Sequence, residues 1–273
     1  MIDTLKFRSI LESYKTYFLT GWKKQKYKWE AIKYFQKHWK IEAKNFGDMF
    51  KEATSKTKNL LASSRKYPRE MIILFAEADG EKVRQMFRDL FDESQDLSSR
   101  IKNFQNSSKE LKEKYDDGTW HNDFQDINAI STYLWLMYPD KYYIYKYEVL
   151  RDVSKELSLE YKPKHNGSID NLIDGFKVYD EMNKIIKEDT QLVLTFRDIL
   201  TRTCYRDPKL KTLTNDVGFY LSKVFLKEQK EDRWFPEDYN PNITVEQWKE
   251  MLRDFSVFKP DSLKIMKRMK YYG

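Results

Sequence analysis

The residues of this chain best suited to chemistry are lysines, spaced so that they act together. In KKQKYKWEAIKYFQKHWKIEAK, Lys26, Lys33, Lys37, Lys40 and Lys44 recur at steps of seven, four, three and four, one face of a helix. Lys23 and Lys24 precede them, and Arg65 and Lys66 extend the set from a polar, lysine-bearing loop. Ammonium groups so placed attract phosphate whatever the base, because each contact releases counterions. Trp22 and Tyr27 lie between the lysines and read as exposed rings on which a base could stack. Trp29, Ile32, Phe35 and Trp39 form the opposite stripe, and aromatic residues at helical spacing pack more often than they bind. The competing explanation for the lysines is a solvated surface kept for solubility.

A second cluster is Tyr142-Tyr143-Ile144-Tyr145-Lys146-Tyr147, with the composition and loose alternation of a strand. As a strand it presents Tyr143, Tyr145 and Tyr147 as an edge for a partner. His121, Asp123 and Asp126 are metal-ligand types, but acids at a helix N-terminus explain them more simply, and no metal site is expected. His38, on the basic helix, reads as a surface or phosphate-facing residue. No G-x-x-x-x-G-K-[ST], G-x-S-x-G or H-E-x-x-H occurs, and the single cysteine, Cys204, builds no thiolate zinc site. No catalytic residue and no cofactor are therefore expected. A nuclease assembled from dispersed Asp and Glu is a third possibility, tested by Mg²⁺-dependent cleavage.

At 273 residues, 40% hydrophobic and 16% aromatic, the chain buries a true core. Eight glycines and seven prolines favour long regular elements over a turn-rich sandwich. One cysteine forms no internal disulfide, so a cytoplasmic, reducing location is expected. The charged N-terminus lacks the apolar run of a signal peptide, and no apolar stretch is long enough to span a bilayer. Net charge is +7, concentrated at one end: residues 1–66 hold 16 Lys and Arg against 6 Asp and Glu, and the remainder 34 against 37. A one-sided positive field suits a polyanionic partner.

These features predict a mainly α multi-helix globular fold with at most a short β segment near 142–147. Helices are expected from Leu5 to Leu19, ending near Thr20-Gly21; through the basic stretch 21–46; after the cap Asn45; and from Pro68, broken at Asp79-Gly80. Others follow over Leu97–Tyr115, over Trp120–Met137 up to Tyr138-Pro139, and from Val149 to Tyr161. Ser168 caps the next, in which Gly175 marks a close helix crossing. Two more flank Asp207-Pro208, and Thr244 with Gln247 forms a capping box. The expected organisation is a basic helical domain or subdomain over 1–161, a second helical subdomain over 169–255, and the start of a further, truncated element over 256–273.

The stretches KYKWEAIKYFQKHWKIE, KNLLASSRKYPREMIILFA, VRQMFRDLFDES and STYLWLMYPDKYYIYKY, covering most of residues 20–150, resemble the N-terminal region preceding the AAA+ GTPase module of McrB-like subunits in modification-dependent (type IV) restriction systems. The ending VFKPDSLKIMKRMKYYG is similar more weakly. The resemblance implies a DNA-binding or targeting region, non-catalytic by itself, in a phage-defence protein. GTP and Mg²⁺ then belong to a motor outside this chain, and a McrC-like nuclease subunit is met through that motor. It also implies DNA, possibly methylated, as the partner, and no membrane. The nucleotide-binding motif of the family has no counterpart here, so no motor residue carries over. The alternative is a protein-interaction or oligomerisation module of the same system, meeting its partner through the tyrosine segment.

Overall fold

The computed structural model describes residues 2–62, 66–165 and 167–232, the last three by backbone alone. The described residues up to 227 form one compact unit. The expected division near 162–168 falls inside this unit, whose buried apolar side chains make a single cluster. The capping box at Thr244 and the element expected over 256–273 lie outside the described residues.

Every regular element among the described residues is helical. Chain order is α1 (Thr4–Gln25), α2 (Tyr27–His38), α3 (Phe46–Ala53), a 3₁₀ turn (Lys58–Leu60), α4 (Pro68–Phe91), α5 (Leu97–Tyr115) and α6 (Ile127–Met137). Then come α7 (Tyr147–Glu156), α8 (Ile169–Glu188), α9 (Thr190–Ile199), α10 (Lys211–Tyr220), a π turn (Leu221–Phe225) and α11 (Leu226–Asp232). The mainly α class is thus the observed one. No helix among the described residues is long and apolar enough to cross a membrane.

Short polar side chains set many boundaries, by accepting from backbone N–H groups that the first helical turn leaves unpaired. Asp3, Asn45, Asp96, Asp126, Ser168 and Asp189 cap α1, α3, α5, α6, α8 and α9 in this way. Pro68 opens α4, where its missing N–H costs nothing. Asp79 leaves helical geometry inside α4, and its carboxylate accepts from Lys82 N. α4 and α5 run antiparallel: Tyr115 bonds Asp79, Lys82 pairs with Glu110, Phe87 meets Phe104, and Arg100 donates to the Leu90 carbonyl.

Several expected boundaries move. α1 continues past Thr20-Gly21 to Gln25; Gly21 is buried, and a Cβ there would stand 3.1 Å from the Tyr17 ring. α2 stops at His38 because Trp39 turns extended to reach Phe46, Phe50, Phe87 and Phe91, which leaves Lys40 and Lys44 off the helix. The central helix begins at Ile127 rather than Trp120. Asp116, Asp117, Asn122 and Asp123 each accept from a backbone N–H two residues on, and Phe124 takes φ +55°, so a chain of Asx turns replaces the first turns of helix. α7 closes at Glu156, with Ser158 at φ +54°. At Gly175 the predicted crossing is present, since a Cβ would come 2.5 Å from Leu150 Cδ1.

The segment 142–146 is neither helix nor part of any sheet among the described residues. All of Tyr142 to Tyr145 is buried, so its backbone must find other partners. Asn215 of α10 supplies two, accepting from Ile144 N at 2.7 Å and donating to Ile144 O at 3.2 Å. Ser131 of α6 accepts from Tyr145 N at 2.9 Å. Two polar side chains do here what a neighbouring strand would do.

Candidate polyanion-binding surface

α2 buries Trp29, Ala31, Ile32 and Phe35 and turns Lys33 and Lys37 to solvent, as its apolar spacing requires. Trp29 is anchored against Trp22 and Phe196, at ring separations of 5.2 and 5.5 Å. Lys26 lies on the exposed side but holds Glu30 at 2.9 Å. Burial alone would raise the Glu30 carboxyl; hydrogen bonds from Lys26 and Thr203 and the charges of Lys26 and Lys58 hold it below its ordinary value. The Lys33 ammonium donates to the Arg202 carbonyl, which keeps its charge uncompensated. Lys23 and Lys24 occupy the last turn of α1, where cations suit the carbonyl end. Lys40 and Lys44 are exposed in the connection to α3. Among the described residues, Lys23, Lys24, Lys33, Lys37, Lys40 and Lys44 have no carboxylate within ion-pair distance.

The fold brings further cations to α2. Tyr34 donates to Glu52, Lys56 lies 5.5 Å over the Tyr34 ring, and Lys58 lies 4.9 Å over the Tyr27 ring. The connection after α3 therefore runs along one edge of α2. On another edge, Tyr205 N donates to Trp29 O at 3.0 Å and Thr203 donates to Glu30, fixing the loop that carries Arg202. The lysine-bearing loop was visible in sequence as a polar segment; nothing in the spacing showed that it, or Arg202, would meet α2. His38 stacks on Tyr34 at 3.9 Å and contacts the Tyr34 carbonyl through Nδ1, so its ring is a neighbour of this surface.

Other expected residues fall elsewhere. Trp22 is 6% exposed and belongs to the core, so it offers no face to a base. Tyr27 is half-buried; its hydroxyl donates to Asn59, and burial pushes its pKa up to about 12. Lys66 is exposed but holds Asp126 at 2.7 Å. Arg65 lies outside the described residues. Tyr143 and Tyr145 are buried, not an exposed edge: Tyr143 stacks on Tyr179 and donates to Asp180. Tyr147 is half-buried, with its ring against His165. Asp123 and Asp126 are engaged in turn and cap bonds, and among the described residues no group of three His, Cys, Asp or Glu is arranged to hold a metal ion.

Two buried polar sites had no signal in the spacing. Lys28 sits inside, its ammonium on Asp216 and on Gln25 Oε1 at 2.8 Å and 4.7 Å above the Phe219 ring, while Tyr14 donates to the second oxygen of Asp216 at 2.6 Å. The set ties α1, α2 and α10 together. Asp207 accepts from Leu213 N, Thr212 N and Trp29 Nε1 and so closes the N-terminus of α10. Its burial outweighs those bonds and pushes its pKa up to about 6. The chain is, by its fold, a mainly α multi-helix domain; no family model, no curated protein and no solved structure matches it.

Proposed function

We propose that this chain is a non-catalytic nucleic-acid-binding domain that holds the phosphate backbone, acting as a targeting region in a McrB-like restriction system. One observation carries this proposal: the exposed side of α2 presents Lys33 and Lys37 without carboxylate partners, in a stretch where Lys23, Lys24, Lys40 and Lys44 are equally uncompensated. α2 is about 18 Å long at 1.5 Å per residue, and Lys33 and Lys37, one turn apart on it, are placed to meet neighbouring phosphates. Such a surface binds through charge, without reading base edges. With Trp22 withdrawn into the core, backbone contact is its principal mode. The restriction-system context rests on the sequence resemblance alone, as do the GTP-driven motor and McrC-like nuclease that context brings.

The test is a salt titration of DNA affinity, comparing the natural chain with Lys33→Glu/Lys37→Glu. The natural chain is expected to bind at low ionic strength with a slope of log K against log salt of roughly −0.9 per phosphate engaged. The double variant is expected to weaken binding to all sequences alike and to flatten that slope by about 2. Absence of binding at low salt, or an unchanged slope in the variant, would overturn the proposal.

A further inference from the structure

The motif Tyr138-Pro139-Asp140-Lys141, central in the sequence, has no part in the lysine surface. It instead forms one wall of an open cavity of about 340 Å³, completed by Gln36 of α2, Glu93 of the α4–α5 turn, Met137 at the end of α6, and Tyr205. Four segments distant in sequence converge there. Each is held independently: Tyr138 donates to Phe91 O at 2.8 Å, Tyr205 N to Trp29 O, and Lys141 pairs with Glu93 at 2.8 Å.

The lining favours positive charge. Lys141 is its one cation and is already held by Glu93, which also accepts from Tyr142. Asp140 is exposed and, among the described residues, has no ammonium or guanidinium within ion-pair distance. α6 ends at this cavity, and the carbonyls of a helix C-terminus carry partial negative charge; the Met137 carbonyl accepts a long bond from Gln36, at 3.4 Å. Tyr138 and Tyr205 add rings whose faces attract cations. A planar, multiply donating cation suits this set: a guanidinium has edges to offer the Asp140 carboxylate and the Met137 carbonyl, and a face that stacks on tyrosine.

We propose that this cavity is a docking site for an arginine side chain of a protein partner, built from residues other than the lysines of the nucleic-acid surface. The occupant is chosen by charge complementarity: an uncompensated carboxylate and a helix C-terminus facing a space walled by rings, whereas the lysine surface repels the same group.

The experiment uses the full chain labelled at methionine methyl groups and titrated with N-acetylargininamide, read at the Met137 resonance assigned with Met137→Leu. A saturable shift is expected, absent with the neutral isostere N-acetylcitrullinamide and weakened about tenfold in Asp140→Asn. Glu93→Gln, which frees Lys141 to compete for Asp140, is expected to weaken it as well. Circular dichroism of each variant verifies the fold. No saturable shift with the arginine probe, or an equal shift with the citrulline probe, overturns the proposal. An unaltered affinity in Asp140→Asn overturns it too. DNA binding and its salt slope are expected to be unchanged in Asp140→Asn, so the two proposals fail separately.

Discussion

At the scale of single residues, the charges that matter most to stability are those the fold takes from solvent. Lys28 shows how context decides the use of a lysine. Lys33 and Lys37 of the same helix face water, yet Lys28 lies on the stripe that also holds Ile32 and Phe35, and Asp216, Gln25 and the Phe219 ring make its burial tolerable. Asp207 has a testable consequence. Its folded pKa, about 6, stands above the ordinary 3.8 because burial prevails over its three N–H donors. The folded chain then holds more protons than the unfolded chain between those values, so this group's contribution to stability falls as pH rises from about 4 to 6. Urea unfolding of the natural chain and of Asp207→Asn across that window should show the natural chain losing stability relative to the variant. The loss is at most about 3 kcal/mol. A difference that stays constant, or grows with pH, contradicts the assignment.

At the scale of elements, the segment behind α6 carries the clearest prediction. Asn215 satisfies both the N–H and the C=O of Ile144, in a segment with Tyr142 to Tyr145 buried. Asn215→Ala should leave two buried backbone groups unpaired and cost roughly 2–6 kcal/mol, at about 1–3 kcal/mol per group. Asn215→Asp, which keeps an acceptor and loses the donor, should cost less at low pH than at neutral pH, where its charge is buried. Thermal unfolding of the two variants checks this; a change below about 0.5 kcal/mol in Asn215→Ala would mean that the segment has other support. The same segment explains why its composition misleads. Alternating tyrosines resemble a strand edge, but side chains from α6 and α10 meet the backbone, and both faces are covered.

At the scale of the whole molecule, residues 2–227 share one buried cluster, with rings continuous from Trp39 through Phe46, Phe50 and Phe87 to Tyr133. α1 is joined to α10 through Tyr14 and Asp216. Hydrogen exchange on the buried amides of α4, α6, α8 and α10 should therefore report one common opening free energy. Phe87→Ala should lower it at all four helices together, by about 3–5 kcal/mol. A loss confined to α4 and α6 would show two subdomains divided near 162–168. Composition and local pattern sufficed for helix type, for caps such as Asn45 and Ser168, for the proline opening α4 and for the tight crossing at Gly175. These depend on residues within a few positions of one another, or on the volume of a single side chain. Tertiary structure alone decided which lysines stay uncompensated, that Trp22 lies inside, that Lys28 meets Asp216, that Asn215 replaces a strand, and that Tyr138, Asp140, Glu93 and Tyr205 line one open cavity. Each of those outcomes depends on partners scores of residues away, whose approach is set by packing of the common core and leaves no periodicity in the chain.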